Sequence, residues 1–431
     1  MGTSIETLVQ HVVDARERTF ALVGDLADQQ LIGPRLAIVN PLLWEIGHVA
    51  WFQEHWVLRH GLDEPALRAD GDALYDSSAI PHDTRWDLPL PSRAETLDYL
   101  RRVRDGVLDC LRNREAAPEL VYLALYTVFH EDMHDEAFTY TRQTLAYPAP
   151  PIPLEPRPPV TGRAEGDAEV PGGTFLLGAT PDLPFVFDNE KWAHEVRVEP
   201  FRMARAAVTN AEFAAFTGEG GYGRRDLWSD EGWAWRERTG AEHPVYWGRE
   251  VGGAWEARVF DAWIPLPPDH AVIHVCWHEA VAFCRWMGRR LPTEAEWEAA
   301  AAGEPDAGGS RLGRRKRLYP WGEASPGPAH ANLDARHGGT VSVHALPEGD
   351  SAFGVRQMIG NVWEWTSSDF GPYPGFIADP YKEYSEPWFT GHKVLRGGCW
   401  ATRARLLRNT WRNFYTPDRR DVFAGFRTCA L

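Results

Sequence analysis

The stretch PAPPIPLEPRPPVTGRAEGDA at residues 148–168 divides the chain into two kinds of sequence. Proline fixes φ and has no amide hydrogen, so neither a helix interior nor a central strand passes through such a run. It reads as an extended, semi-rigid linker. Before it, apolar residues recur at helical spacing. SIETLVQHVVDARERTFALVGDL is one helix. NPLLWEIGHVAWFQEHWVLRHG is a second, with Asn40 as N-cap, Pro41 at the first helical position and Gly61 at the end. SRAETLDYLRRVRDGVLDCLRN opens on a Ser92/Glu95 capping box, and ELVYLALYTVFHEDMHDEAFTYTRQTLAY is the fourth. Four such helices predict a bundle over 1–147. After the linker, from 169 to 431, the sequence turns to short strands and glycines, with one clear helix at HEAVAFCRWMGRR. The fold class expected is therefore α+β with more than one domain, which a length of 431 residues also favours.

The charged segment FHEDMHDEAF at 129–138 asks for an explanation. On a helical wheel His130 and His134 lie about 40° apart and about 6 Å along the axis. They share a side with Leu123, Tyr126, Thr127, Met133, Ala137 and Thr141. Imidazoles facing a bundle interior are costly unless they are hydrogen-bonded or bound to metal, and H-x-x-x-H lets two of them share one ion. The second helix puts His48, Trp51, Phe52 and His55 on one stripe, so a third histidine faces the interior. The wheel does not choose between His48 and His55, nor between iron and zinc. Three neutral nitrogens leave open positions on a metal, which points to catalysis, and iron(II) with open positions suits oxygen chemistry. Glu136, to the side of this stripe, is either an acceptor for a ligand imidazole or a surface carboxylate.

Bulk properties exclude several classes. A net charge of −16 repels phosphate backbones and anionic lipid, so neither nucleic acid nor a membrane is an expected partner. Five widely spaced cysteines without a C-x-x-C fit free thiols in a reducing cytoplasm. No basic-then-apolar leader opens the chain, and no apolar run is long enough for a membrane span. The expected localisation is cytoplasmic. The connection DEPALRADGDALYDSSAIPHDTRWDLPLP is longer than two helices need and is a candidate to line a site.

Several motifs occur in order beyond the linker: VPGGTFLLGA, AVTNAEFAAF, HVCWHEAVAFCRWMGRRLPTEAEWEAAA, YPWG, IGNVWEWTSSDF, KVLRGGCW and GFR. Together they resemble the formylglycine-generating-enzyme-like domain, a C-type-lectin-like fold. The first part, with H-x-x-x-H-x-E, resembles the DinB-like four-helix bundle. The pairing resembles the ergothioneine-biosynthesis sulfoxide synthases, which use nonheme iron(II) and O2 to join a sulfur donor to the imidazole of hercynine. The resemblance implies Fe(II) as cofactor and His48, His130 and His134 as its ligands. Formylglycine generators bind copper through two cysteines near the C-terminus. RARLLRNTWRNFYTPDRR has none there, so that chemistry is not expected.

Two departures direct the choice of donor. The related enzymes follow R-N with a tryptophan and an aspartate that helps recognise an amino-acid thiol. This chain has Arg412-Asn413-Phe414-Tyr415, without the acid. They also carry glutamine where this chain has Met133, whose soft thioether packs adaptably. The runs around HEDMHDEAFTYTRQTL and YDSSAIPHDTRWDLPLP look closer to the selenoneine synthases, which join hercynine to a selenosugar. The resemblance then implies substrate contacts at Arg85 (with Asp83 to orient it), Met133, Asn413, Phe414, Tyr415 and Tyr384, and a catalytic tyrosine at Tyr381. Phe414 and Tyr415, with Trp411 a further candidate, offer aromatic faces to hercynine's quaternary ammonium. The alternatives are a sulfoxide synthase using cysteine or γ-glutamylcysteine, and a non-catalytic binding protein holding zinc.

Overall fold

A computed structural model describes residues 4–113, 117–183 and 185–431. It divides into two compact units, Met1–Ile152 and Pro153–Leu431. Among the described residues no helix is long and apolar enough to cross a membrane.

The first unit is built on four long helices: α1 (Ile5–Val23), α2 (Leu42–Gln53), α3 (Arg93–Asn113) and α4 (Pro118–Thr144). Local chemistry sets their ends. Ser4 caps α1 by accepting the amide of Thr7 at 3.1 Å. Glu95 accepts the amide of Ser92 at 2.9 Å and returns its own to the Ser92 hydroxyl at 3.3 Å, so the capping box forms. Pro118 stands at the first position of α4, where its missing amide hydrogen costs nothing. At α2 the start lies one residue later than expected, with Pro41 as the cap residue. The Asn40 side chain is engaged elsewhere, accepting from Arg85 at 2.7 Å.

All of α2 is buried, and it runs directly into a π-helical segment, Glu54–His60, that ends at Gly61. The wider turn alters the angular step from one residue to the next, so a wheel drawn through His48 does not extend to His55. Helix α4 is also buried over most of its circumference, acids included. Glu131 and Asp135 turn inward onto α1. Arg16 donates through Nε to Glu131 Oε1 at 2.7 Å and through Nη2 to Oε2 at 3.2 Å, with both side chains essentially inaccessible. The Thr19 hydroxyl lies 2.8 Å from Glu131 and 2.9 Å from Asp135. Glu131 and Asp135 therefore form a polar seam between α1 and α4.

The second unit is a set of short sheets with helices around them. Strands Asp167–Val170, Phe201–Ala204, Cys429–Ala430 and Arg289–Arg290 pair in that order, all antiparallel. A second sheet orders Arg412–Tyr415, Lys393–Arg396, Trp363–Asp369 and Ala424–Gly425. Helices Asn210–Gly218 and Asp230–Thr239 join the expected Trp277–Trp286 and the adjoining Glu294–Ala302. Buried arginines are paired throughout. Arg412 and Arg396 converge on Glu294 at 2.7 Å, and Arg427 forks onto Glu364 at 2.6 Å. All five cysteines are buried and free, and burial pushes the Cys429 thiol up to about 12.

Removing one partner of a buried pair strands the other charge. Glu131→Ala is expected to destabilise the bundle by about 3–5 kcal/mol, read as a lower midpoint of its urea transition at unchanged slope.

Candidate metal centre

Helices α2 and α4 bring together His48, His130 and His134, the one cluster of metal-ligating side chains found among the described residues. His48 Nε2 lies 3.3 Å from His130 Nε2, and His134 Nε2 lies 3.2 Å from the same atom. His48 and His130 are buried. His134 is the accessible edge of the triad, its side chain 20% exposed.

Each ring is held differently. His48 Nδ1 donates to the carbonyl of Tyr75 at 2.8 Å. His134 Nδ1 donates to Glu45 Oε1 at 2.6 Å. His130 stacks on Phe52 with ring centres 3.6 Å apart and an interplanar angle of 12°, and its Nδ1 has no hydrogen-bond partner. Burial, followed by repulsion from the neighbouring imidazoles, holds His48 and His130 well below the usual histidine range, so both are neutral.

This arrangement fits a metal. A neutral ring that donates from Nδ1 presents a lone pair at Nε2, which gives His48 and, in its neutral form, His134 one each. The single proton of His130 satisfies at most one of them, so the cluster is short of positive charge at its centre. Two nitrogens bound at about 2.1 Å with ordinary bond angles lie about 3.0–3.4 Å apart, and the two observed separations fall in that interval. Three neutral nitrogens without a cysteine are the donor set of a catalytic divalent site.

His55 is not part of the triad. It sits in the π-helical segment between Trp51 and Trp56, with ring centres 5.0 Å from each. Glu136 is buried, and the carboxylate that receives a ligand imidazole is Glu45. Sequence reasoning missed Glu45, although its place three residues before His48 puts both on one face of α2. The Tyr75 carbonyl carries no side-chain signal at all. Met133, next to His134 on α4, is half-buried. Arg85 is half-buried, its guanidinium 3.9 Å from the Trp44 ring centre.

In the second unit, Asn413, Phe414 and Tyr415 follow Arg412 on one strand, in register with Lys393–Arg396. Asn413 Oδ1 accepts the amide of Phe414 at 2.8 Å. Phe414 stacks on Phe370 at 4.1 Å and meets the edge of Tyr384 at 6.2 Å. Tyr415 lies under the Arg419 guanidinium at 5.1 Å. Tyr384 stacks on Phe187 at 4.8 Å, and burial holds its phenol above the ordinary range. Tyr381, half-buried, leads into the turn Lys382–Tyr384 and accepts the amide of Tyr384 at 3.2 Å. The structure thus places Tyr384 beside Phe414 within this unit, and His48, His130 and His134 within the first.

Residues 155–430 match the Sulfatase-modifying factor enzyme 1-like domain, and residues 11–138 match the DinB superfamily. A protein of Mycolicibacterium thermoresistibile named Hercynine oxygenase is 41% identical over 438 residues, covering 97% of this chain and 94% of that one. Its namesake in Mycobacterium tuberculosis is 39% identical, covering 99% of each. The chain belongs to the ergothioneine sulfoxide synthase-like family. A Streptomyces coelicolor Formylglycine-generating enzyme is 33% identical over 314 residues, covering 66% of this chain. That likeness covers 96% of the Streptomyces protein.

Glu45 fixes both the ring orientation and the tautomer of His134. Glu45→Ala is expected to weaken divalent-metal binding by about 10–100-fold, with Glu45→Gln less affected because an amide oxygen still accepts from Nδ1. Chelator competition with Co(II) measures this. Affinity in both variants and the parent falls as pH is lowered, because protons compete for the same nitrogens.

Proposed function

We propose that this chain is a nonheme iron(II) enzyme that uses O2 to join the imidazole carbon of hercynine to the selenium of a selenosugar. The observation that carries the metal-dependent part is the convergence of three imidazole nitrogens from two helices. Full-length likeness to proteins named for hercynine oxygenation supports the substrate and the use of O2. In this reading His48, His130 and His134 hold the iron, which when bound supplies the redox chemistry for O2. The C–H and Se–H bonds are replaced by one C–Se bond, and O2 takes up the two protons and two electrons released.

The protein's own groups bind, orient and move protons. Phe414 and Tyr415 offer aromatic faces to the quaternary ammonium of hercynine, and Asn413 has its amide nitrogen for the carboxylate. Met133 packs against the imidazole as a soft apolar surface. Tyr381 is the proton donor, a phenol being protonated at neutral pH, and Tyr384 lines the same region.

The choice of selenosugar over an amino-acid thiol rests on charge. The strand Arg412–Tyr415 has no acid. The acids around it are engaged: Asp421 with Arg419 at 2.7 Å, Asp369 with Lys393 at 2.5 Å, and Asp418 as acceptor of the Thr416 hydroxyl at 2.6 Å. An α-ammonium placed there would lose its counter-charge, at a cost of several kcal/mol if buried, whereas a sugar's hydroxyls need none.

O2 uptake by the iron-loaded chain with hercynine, comparing a selenosugar with cysteine and γ-glutamylcysteine, tests the proposal. The selenosugar is expected to be preferred by at least an order of magnitude in kcat/KM. Strict preference for a thiol would overturn the donor assignment while keeping the enzyme class. Tight zinc with no O2 uptake would overturn both.

A further inference from the structure

The connection between α2 and α3 is tied to the helix that carries His48 by a stack of flat groups. The Arg85 guanidinium lies 3.9 Å from the centre of the Trp44 ring. Trp44 is parallel to His48 within 7°, with ring centres 5.0 Å apart. The same connection bonds both rings: Trp44 Nε1 donates to the Leu74 carbonyl at 2.7 Å, and His48 Nδ1 to the next carbonyl, Tyr75, at 2.8 Å. Gly47 makes this approach possible, because a Cβ there would stand 2.2 Å from the Tyr75 ring. Arg85 is itself anchored, with Nη1 donating to Asn40 Oδ1 at 2.7 Å and Nη2 to the Ile80 carbonyl at 3.3 Å.

We propose that Arg85 is a positioning residue for the metal centre: through Trp44 it holds the His48 ring so that Nε2 faces His130 and His134. This rests on the reading that the three imidazoles hold a metal. An imidazole on a helix turns about two side-chain bonds, and one hydrogen bond at Nδ1 leaves rotation about that bond's axis. A parallel indole removes it. The indole keeps its own rotamer because a planar cation covers it and a carbonyl receives its N–H. Arginine suits this place and lysine does not, since only the guanidinium is flat.

The electrostatic effect of Arg85 has the opposite sign to its positioning effect, and this makes the two separable. A positive charge near His48 opposes a bound cation, so charge removal alone tightens metal binding. Loss of positioning weakens it.

The test uses Co(II) and the full-length chain without hercynine or donor, reading chelator competition and the visible Co(II) spectrum. His134→Ala comes first. If it leaves Co(II) binding unchanged, the metal reading itself fails. If it abolishes binding, Arg85→Met is expected to weaken Co(II) about tenfold, as loss of outer support typically does, and to shift the spectrum at saturation. Arg85→Lys, which keeps the charge and fold-supporting bulk, is expected to do the same. In a Trp44→Leu background, where positioning is already lost, Arg85→Met no longer weakens Co(II) binding and, by removing the charge alone, tightens it slightly. Unchanged or tighter binding with an unaltered spectrum in both Arg85 variants overturns the proposal, as a contact with substrate alone would give. An equal loss with and without Trp44 overturns it too.

Discussion

A neutral imidazole has two nitrogens and one proton, so a hydrogen bond donated from one nitrogen leaves the other as a bare lone pair. In this bundle two rings donate from Nδ1, one to a carboxylate and one to a backbone carbonyl. Both thereby aim unprotonated Nε2 atoms at a common point, and His130 completes the set. Much of the first unit follows from the need to bury these rings without burying unpaired charge. Helix α2 is enclosed on every side, Phe52 lies flat on His130, and Glu131 and Asp135, each one residue past a histidine on α4, turn to Arg16 and Thr19.

That division of labour on α4 explains why a segment as polar as 129–138 is buried. Residues 131 and 135 are four apart, as are 130 and 134, so two adjacent rows run along the helix. One row carries imidazoles and the other carboxylates. The carboxylate row meets α1, where buried Arg16 gives Glu131 a charged hydrogen bond in place of water and the Thr19 hydroxyl reaches both Glu131 and Asp135. The histidine row meets α2. A polar helix is thus compatible with a bundle interior when its polar groups are sorted by row and each row has its own partner.

Rows of this kind are legible in a sequence: the four-residue spacing puts His130 and His134 on one face of α4, and the structure brings His48 of α2 to them. Other features were hidden for physical reasons. The π-helical segment after Gln53 has no residue signature, so the wheel kept His55 on the same stripe as His48. Arg16 as the partner of Glu131 joins residues 115 apart in sequence, a separation at which no local pattern reports contact. Tyr75 acts through its carbonyl, a group every residue has. In the second unit the order of motifs disclosed the fold through resemblance, whereas the sheet order did not follow from it: Cys429–Ala430 lies between strands that begin at Phe201 and Arg289. Short strands paired across such distances leave little periodicity to read.

The question of selenium or sulfur is then separate from the metal centre. Three neutral histidines bind iron with equal ease whichever chalcogen is to be joined, and nothing in the triad's geometry depends on the donor. What differs between a selenosugar and an amino-acid thiol is the charge carried away from the reacting atom. Discrimination of that kind belongs to side chains that meet the donor's far end, where an absent carboxylate rejects an ammonium as firmly as a present one accepts it. In the proposed reading the Arg412–Tyr415 strand presents an amide and two aromatic rings to the reactants, a surface suited to one cation delocalised over methyl groups and unsuited to a second, strongly hydrated one. Under the proposed selenosugar reading, donor choice is written as a missing charge on a strand whose backbone register is otherwise regular.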